Sequence, residues 1–172
     1  MKRSVKQLSV SALIAAFYAV FTLSSSALGL AYGPIQFRLS EAMTILPVFT
    51  PAAVPGLVIG CVLANLTSPY GLVDICFGTL ATLLAAVCTR LLRNLKIKGL
   101  PVLSALMPVI FNAVIIGAEI AMLMPDATVQ AKWVAFGYNA LTVGLGESVI
   151  CLGLGLPLYI MVNKYAKHLF RN

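Results

Sequence analysis

Apolar residues fall into six runs along the chain, at about 8–30, 39–50, 56–66, 72–92, 100–124 and 136–162, separated by short connections rich in polar residues, proline or glycine. A helix needs about 20 apolar residues to cross the hydrocarbon of a bilayer, and four of the runs reach that length. Lipid offers no hydrogen-bond partner to a backbone, and the alternation suited to a membrane barrel is absent, so the runs predict helices. The expected fold is all-α, an integral membrane bundle of six helices forming a single transmembrane domain over residues 1–172. Proline and glycine punctuate it. Pro47, Pro51 and Pro55 predict a short or kinked second helix and a tight turn before the third, and Pro69 with Gly71 interrupts the chain before the fourth. Pro101 suits the first turn of the fifth helix and Pro108 predicts a kink within it. Residues 125–135, with Asp126, Lys132 and Trp133, are polar enough to predict a loop ahead of the sixth helix.

Composition supports the membrane assignment: of 172 residues, 60% are hydrophobic and 10% charged, outside the range of soluble domains. The net charge of +7 does not point to nucleic acid, because the basic residues stand beside the ends of apolar runs and form no continuous face. Lys2, Arg3 and Lys6, then Arg90, Arg93, Lys96 and Lys98, then Lys164, Lys167, His168 and Arg171 all fall on one side if an even number of crossings separates each group. Six crossings with both termini cytoplasmic satisfy the excess of positive charge expected inside, leaving only Arg38 and Lys132 as outer basic residues. The basic N-terminus resembles a signal peptide, but its apolar run is too long for one and is retained as a helix. Cys61, Cys76, Cys88 and Cys151 lack CxxC spacing and read as packing residues, with neither a disulfide framework nor a metal site.

The acids concentrate at the opposite side. Glu41, Asp74, Glu119 and Asp126 fall near outer ends of helices or in outer loops. Glu147 lies roughly 12 to 16 Å down a sixth helix that starts near Phe136. A carboxylate at such a depth costs roughly 2.5 to 3.5 kcal/mol to insert and faces protein, water or a ligand. Gly144, Gly146 and Ser148 beside it leave room for a backbone or a flat ligand. It reads as a ligand contact or as a partner for a neighbouring helix. Asn112 and Glu119, seven apart, share one helix face. Asp74 is either a ligand contact or an acceptor for the N–H groups opening the fourth helix, and Asn65 and Tyr70 are the other polar groups of its preceding loop. Arg38 and Glu41, three apart, have the spacing of an interfacial ion pair; Trp133 and Tyr138 read as interface anchors. Ser11, Ala12, Ala15 and Ala16 put small side chains four apart on helix 1, for internal packing or for docking another membrane protein. GxxxxGK[ST], GxSxG and HExxH are all missing, which argues against an ATPase or intramembrane hydrolase.

Tyr32-Gly33-Pro34-Ile35-Gln36-Phe37-Arg38-Leu39-Ser40-Glu41-Ala42, Pro51 to Gly56, Gly60 to Asn65, Gly71 to Leu83 around Asp74, and Phe111-Asn112-Ala113 through Glu119 resemble the QueT family. These are substrate-binding (S) components of energy-coupling factor (ECF) transporters assigned to queuosine precursors. The resemblance implies a bacterial cytoplasmic membrane protein of six helices with both termini inside and no cofactor. It also implies capture of a micronutrient near the outer face, docking through Ala12 and Ala16 on a transmembrane coupling subunit, and two cytosolic ATPases that drive release after toppling of the S component. A 7-deazaguanine-type solute, 7-aminomethyl-7-deazaguanine or queuine, would be read by Glu147 and Glu119 with Asn112, Asp74 and Asn139, under a lid formed by the Arg38 loop. The alternatives are an S component for riboflavin or thiamine, a solitary proton- or sodium-coupled carrier using Glu147, and an intramembrane enzyme.

Overall fold

The structure, a computed structural model, describes residues 2–32, 35–124 and 128–169. Gly33, Pro34, Asp126 and Arg171, and the side chains of Lys2, Arg3, Lys167 and His168, lie outside the described residues. The elements are α1 (Lys2–Ala27), a 3-10 helix (Leu39–Val48), α2 (Ala53–Asn65), α3 (Leu72–Leu91), α4 (Val102–Met122), α5 (Val129–Ile150), a π-helical turn (Cys151–Gly155) and α6 (Leu156–Leu169). The described residues form no β-strand, so the fold is all-α as the apolar runs predict. α1, α3, α4 and the continuous path through α5 and α6 are each long and apolar enough to cross a membrane. Only 33% to 44% of each spanning window is buried inside the protein, leaving a wide apolar surface of the kind that faces lipid.

The 3-10 helix and α2 double back on each other. Ten residues at about 2.0 Å and thirteen at about 1.5 Å give each a length of roughly 20 Å, short of the roughly 30 Å hydrocarbon layer. The turn sits at Thr50–Ala52, where the Ala53 N–H donates to the Thr50 carbonyl at 3.3 Å. α2 therefore starts three residues before the expected position: Pro55 stands in its first turn, where its missing N–H breaks no helical bond. Prolines shape the other end of the chain as well. Pro157 has no N–H for the Gly153 carbonyl, and the π-helical turn takes up that gap without ending the helix.

Residues 129–135 are helical, against the loop expected there. The Thr128 hydroxyl caps α5 by accepting from the Ala131 N–H at 3.2 Å, which puts Lys132 and Trp133 in the first turns of the helix. Gln130 and Lys132 break the apolar run, so hydropathy places the start too late.

Small residues set the two closest helix contacts. A Cβ at Gly56 would lie 2.7 Å from the Ser11 carbonyl and one at Gly60 2.8 Å from the Ala15 carbonyl, so α2 packs on α1 backbone to backbone. α4 and α5 run antiparallel, with Gly117 against Ala140 and Gly144 against Ala113. One end of the bundle gathers Ser11 bonded to the Ala52 carbonyl (2.7 Å), Arg90 bonded to the carbonyls of Pro47 (2.9 Å) and Val48 (3.2 Å), and Phe49 stacked on Tyr159 at 5.2 Å. The other end carries Arg38, Asn65, Asp74 and the start of α5.

Candidate functional site

α1 grips the first turn of the 3-10 helix at three points. The Tyr18 hydroxyl donates to Glu41 Oε1, the Thr22 hydroxyl donates to Ser40 Oγ at 2.7 Å, and Ser25 Oγ accepts from the Leu39 N–H at 3.0 Å. Ser11, Tyr18, Thr22 and Ser25 share a helical face, and all are buried. Tyr18, Thr22 and Ser40 were not sequence candidates, although polar groups at helical spacing inside an apolar run were the signal.

Arg38 forms a second fixture. Its Nε donates to the Ala31 carbonyl (2.9 Å), its Nη2 to Asn65 Oδ1 (3.1 Å), and Nη2 lies 3.7 Å from Asp74 Oδ2. Asn65 Nδ2 donates to the Asp74 carbonyl (2.9 Å), Ser68 donates to Asp74 Oδ2 (2.5 Å), and the guanidinium lies over the Tyr32 ring at 5.0 Å. This clasp joins the open ends of the hairpin to the start of α3. The ion pair expected between Arg38 and Glu41 is not the one formed, because Glu41 turns to Tyr18 and the guanidinium to Asp74. Asp74 likewise holds a hydroxyl and a guanidinium, and among the described residues no side chain caps the start of α3. Tyr70 has an exposed side chain, and its N–H donates at 3.1 Å to the Ser68 Oγ that holds Asp74.

Glu147 meets Glu41 across the bundle. The Cys151 thiol lies 3.7 Å from Glu147 Oε2 and 3.7 Å from the Glu41 carbonyl, so the π-helical turn packs against the first turn of the 3-10 helix. Cys151, read from sequence as packing, thus touches the acidic site. Asn112 stands within reach of both carboxylates. Because α5 begins at Val129, Glu147 lies roughly 27 Å along it, correcting the shallower 12 to 16 Å. A Cβ at Gly146 would fall 2.1 Å from the Gln36 carbonyl, so the loop leading to Arg38 presses its backbone on α5 beside Glu147. The close approach anticipated there is made by backbone. Ser148 instead turns back to the Gly144 carbonyl at 2.7 Å.

Glu119 is buried two turns from Asn112 along α4, and Asn139 is buried on α5 next to the Gly117–Ala140 contact. Beyond them a cleft of about 880 Å³ opens between the outer parts of α4 and α5, lined by Ile120, Met124, Ala131, Ala135 and Asn139 among others. Trp133 and Tyr138 face outward, 69% and 60% exposed, as interface anchors would.

Among the described residues four carboxyls, Glu41, Asp74, Glu119 and Glu147, are no more than 3% exposed, against a single buried cation, Arg38. Asp74 Oδ2 is engaged in the clasp. Glu41 Oε2, Glu147 Oε1 and both oxygens of Glu119 have no hydrogen-bond partner among the described residues. Unpaired buried carboxylate oxygens are costly, and they are the groups that accept donors from a solute.

On α1, Ser11 and Ala15 are consumed by the contact with α2, whereas Ala12 and Ala16 lie on the exposed face with Leu13 and Phe17.

A curated relative, the "Queuosine precursor transporter QueT" of Lactococcus lactis subsp. cremoris (strain MG1363), is 36% identical over 72 residues, covering 42% of each chain. The match thus spans less than half the length of that relative. No solved structure matches the chain. The family described as QueT transporter matches residues 8–164, and with nearly every helix inside that match the chain belongs to the QueT transporter family.

Proposed function

We propose that the chain is the S component of an ECF transporter that captures a queuosine precursor, 7-aminomethyl-7-deazaguanine or queuine, from outside the cell. The observation that carries this is the charge imbalance at the buried site: four carboxyls, three of them with unpartnered oxygens, around one arginine. Such a site favours a solute that brings positive charge and N–H donors, and a deazaguanine with an amine arm brings both. The family match and the printed name of the curated relative support the same solute class.

In this reading Glu41, Glu119, Glu147, Asn112 and Asn139 contact the solute. The Arg38 clasp, with Asn65 and Asp74, holds the loop 35–38 over them as a lid. The end with Arg90, Arg93 and Lys96 faces the cytoplasm, both termini are inside, and the short hairpin and longer helices together make the six-helix S-component fold. Ala12 and Ala16 dock on the transmembrane coupling subunit, two cytosolic ATPases supply the energy, and the chain itself catalyses no reaction. Glu147→Gln is expected to weaken precursor binding about tenfold or more while the protein still accumulates in the membrane. Titration calorimetry on purified protein measures this, and unchanged affinity removes Glu147 from the site. Mass spectrometry of co-purified solute separates a precursor from riboflavin or thiamine.

A further inference from the structure

The three incompletely paired carboxylates differ in what they have left to offer. Glu119 has both oxygens without a partner. Glu41 has one, since Oε1 takes the Tyr18 hydroxyl. Glu147 also has one, since Oε2 faces the Cys151 thiol.

A carboxylate with two free oxygens accepts two parallel N–H bonds in its own plane, the geometry a guanine-like edge presents through its ring N–H and exocyclic amine. Single oxygens cannot do this. An ammonium group has three donors arranged about one atom and is satisfied by separate acceptors converging from different elements. Glu41 Oε2 from the 3-10 helix and Glu147 Oε1 from α5 are such acceptors, brought to the two sides of the Cys151 thiol at the level of Asn112 on α4. The two kinds of acceptor are separated along α4 by the seven residues from Asn112 to Glu119, roughly 10 Å of helix axis. A flat bicycle with a one-carbon amine arm and a hydrogen bond of about 2.9 Å at each end spans a distance of that order.

Resting on the precursor reading above, we propose that the two ends of the solute are read by different carboxylates. Glu119 takes the aminopyrimidinone edge, and Glu41 with Glu147 and Asn112 takes the cationic arm. Tyr18 is a positioning residue, holding Oε1 of Glu41 so that Oε2 is left for the arm. The arm end lies deeper, beside the π-helical turn, and the edge end lies toward the cleft between α4 and α5.

The test crosses variants with two ligands, 7-aminomethyl-7-deazaguanine and the armless base 7-deazaguanine, by competition binding on the purified full chain. Glu119→Gln is expected to weaken both ligands by a similar factor of about ten or more. Glu147→Gln and Tyr18→Phe are expected to weaken only the arm-bearing ligand, leaving the armless base within about threefold of wild type. A Glu119→Gln effect confined to the arm-bearing ligand, a Glu147→Gln effect equal on both, or no competition by the armless base at millimolar concentration overturns the assignment. Wild-type protein that binds neither compound, nor queuine, instead overturns the precursor reading itself. Thermal midpoints of each variant guard against misfolding. Where Glu119→Gln does not fold, Glu119→Asp keeps the charge, retracts it by one methylene, and is expected to weaken both ligands in parallel.

Discussion

Arg38 shows how much one buried side chain organises. It reaches a loop carbonyl, an amide and a carboxylate at once, and its removal leaves Asp74 buried beside only a hydroxyl. Breaking such a pair from one side costs about 3 to 5 kcal/mol. Arg38→Ala is therefore expected to lower the thermal midpoint of the detergent-purified protein sharply. Asp74→Asn, which still accepts the Ser68 hydroxyl, is expected to do so less. Gly146 makes a different demand, because any side chain there meets the Gln36 carbonyl. Gly146→Ala is expected to push the loop 35–38 off α5 and speed solute release, read as a faster dissociation rate in stopped-flow binding. Of these residues, Arg38 and Gly146 were visible in sequence as one of two outer cations and a small neighbour of Glu147. Their partners were not, because Asn65, Asp74 and Gln36 come from other elements.

At the scale of elements, α1 presents two unlike faces of small residues. Its Ser11–Ala15 stripe is filled by Gly56 and Gly60 of α2, and its Ala12–Ala16 stripe is left exposed. Gly60→Val puts atoms into the Ala15 backbone and Tyr18 and is expected to destabilise the fold itself, seen as a lower thermal midpoint and loss of the Tyr18–Glu41 contact. Ala16→Trp, on the exposed face, is expected to leave the midpoint and solute affinity unchanged and to abolish co-purification with the coupling subunit. Spacing alone leaves the docking and packing readings of the four small residues open, since all lie in one apolar run. The contact with α2 takes Ser11 and Ala15 for packing and leaves Ala12 and Ala16 exposed. The 3-10 helix was legible only as a short, proline-marked segment; three contacts hold its first turn to α1.

The whole molecule is polarised. Arg90 and Ser11 bind the turn of the hairpin at one end, and Arg38 clasps Asp74 at the other. It is a multi-pass membrane protein of a transporter family, and the sequence carries no nucleotide-binding loop of the GxxxxGK[ST] type. Reconstituted alone in vesicles, the protein is expected to bind precursor without accumulating it, and collapse of proton or sodium gradients is expected to change nothing. Accumulation in the absence of ATPase partners, measured with labelled precursor, would identify a solitary carrier instead.

What the amino-acid order determined by itself was whatever depends on composition along one dimension: helices where apolar runs meet the length of a bilayer, breaks at proline and glycine, basic groups at run ends, and acids singled out by the cost of burying them. Tertiary structure alone decided which acids are satisfied and which remain open. Asp74 and Glu119 look alike in sequence, each a lone carboxyl near a helix end, yet one is closed by Arg38 and Ser68 and the other has both oxygens free. The reason is geometric. A hydrogen bond needs its donor within about 3 Å, and the side-chain bonds between elements that meet that condition here join residues up to 43 positions apart in the chain.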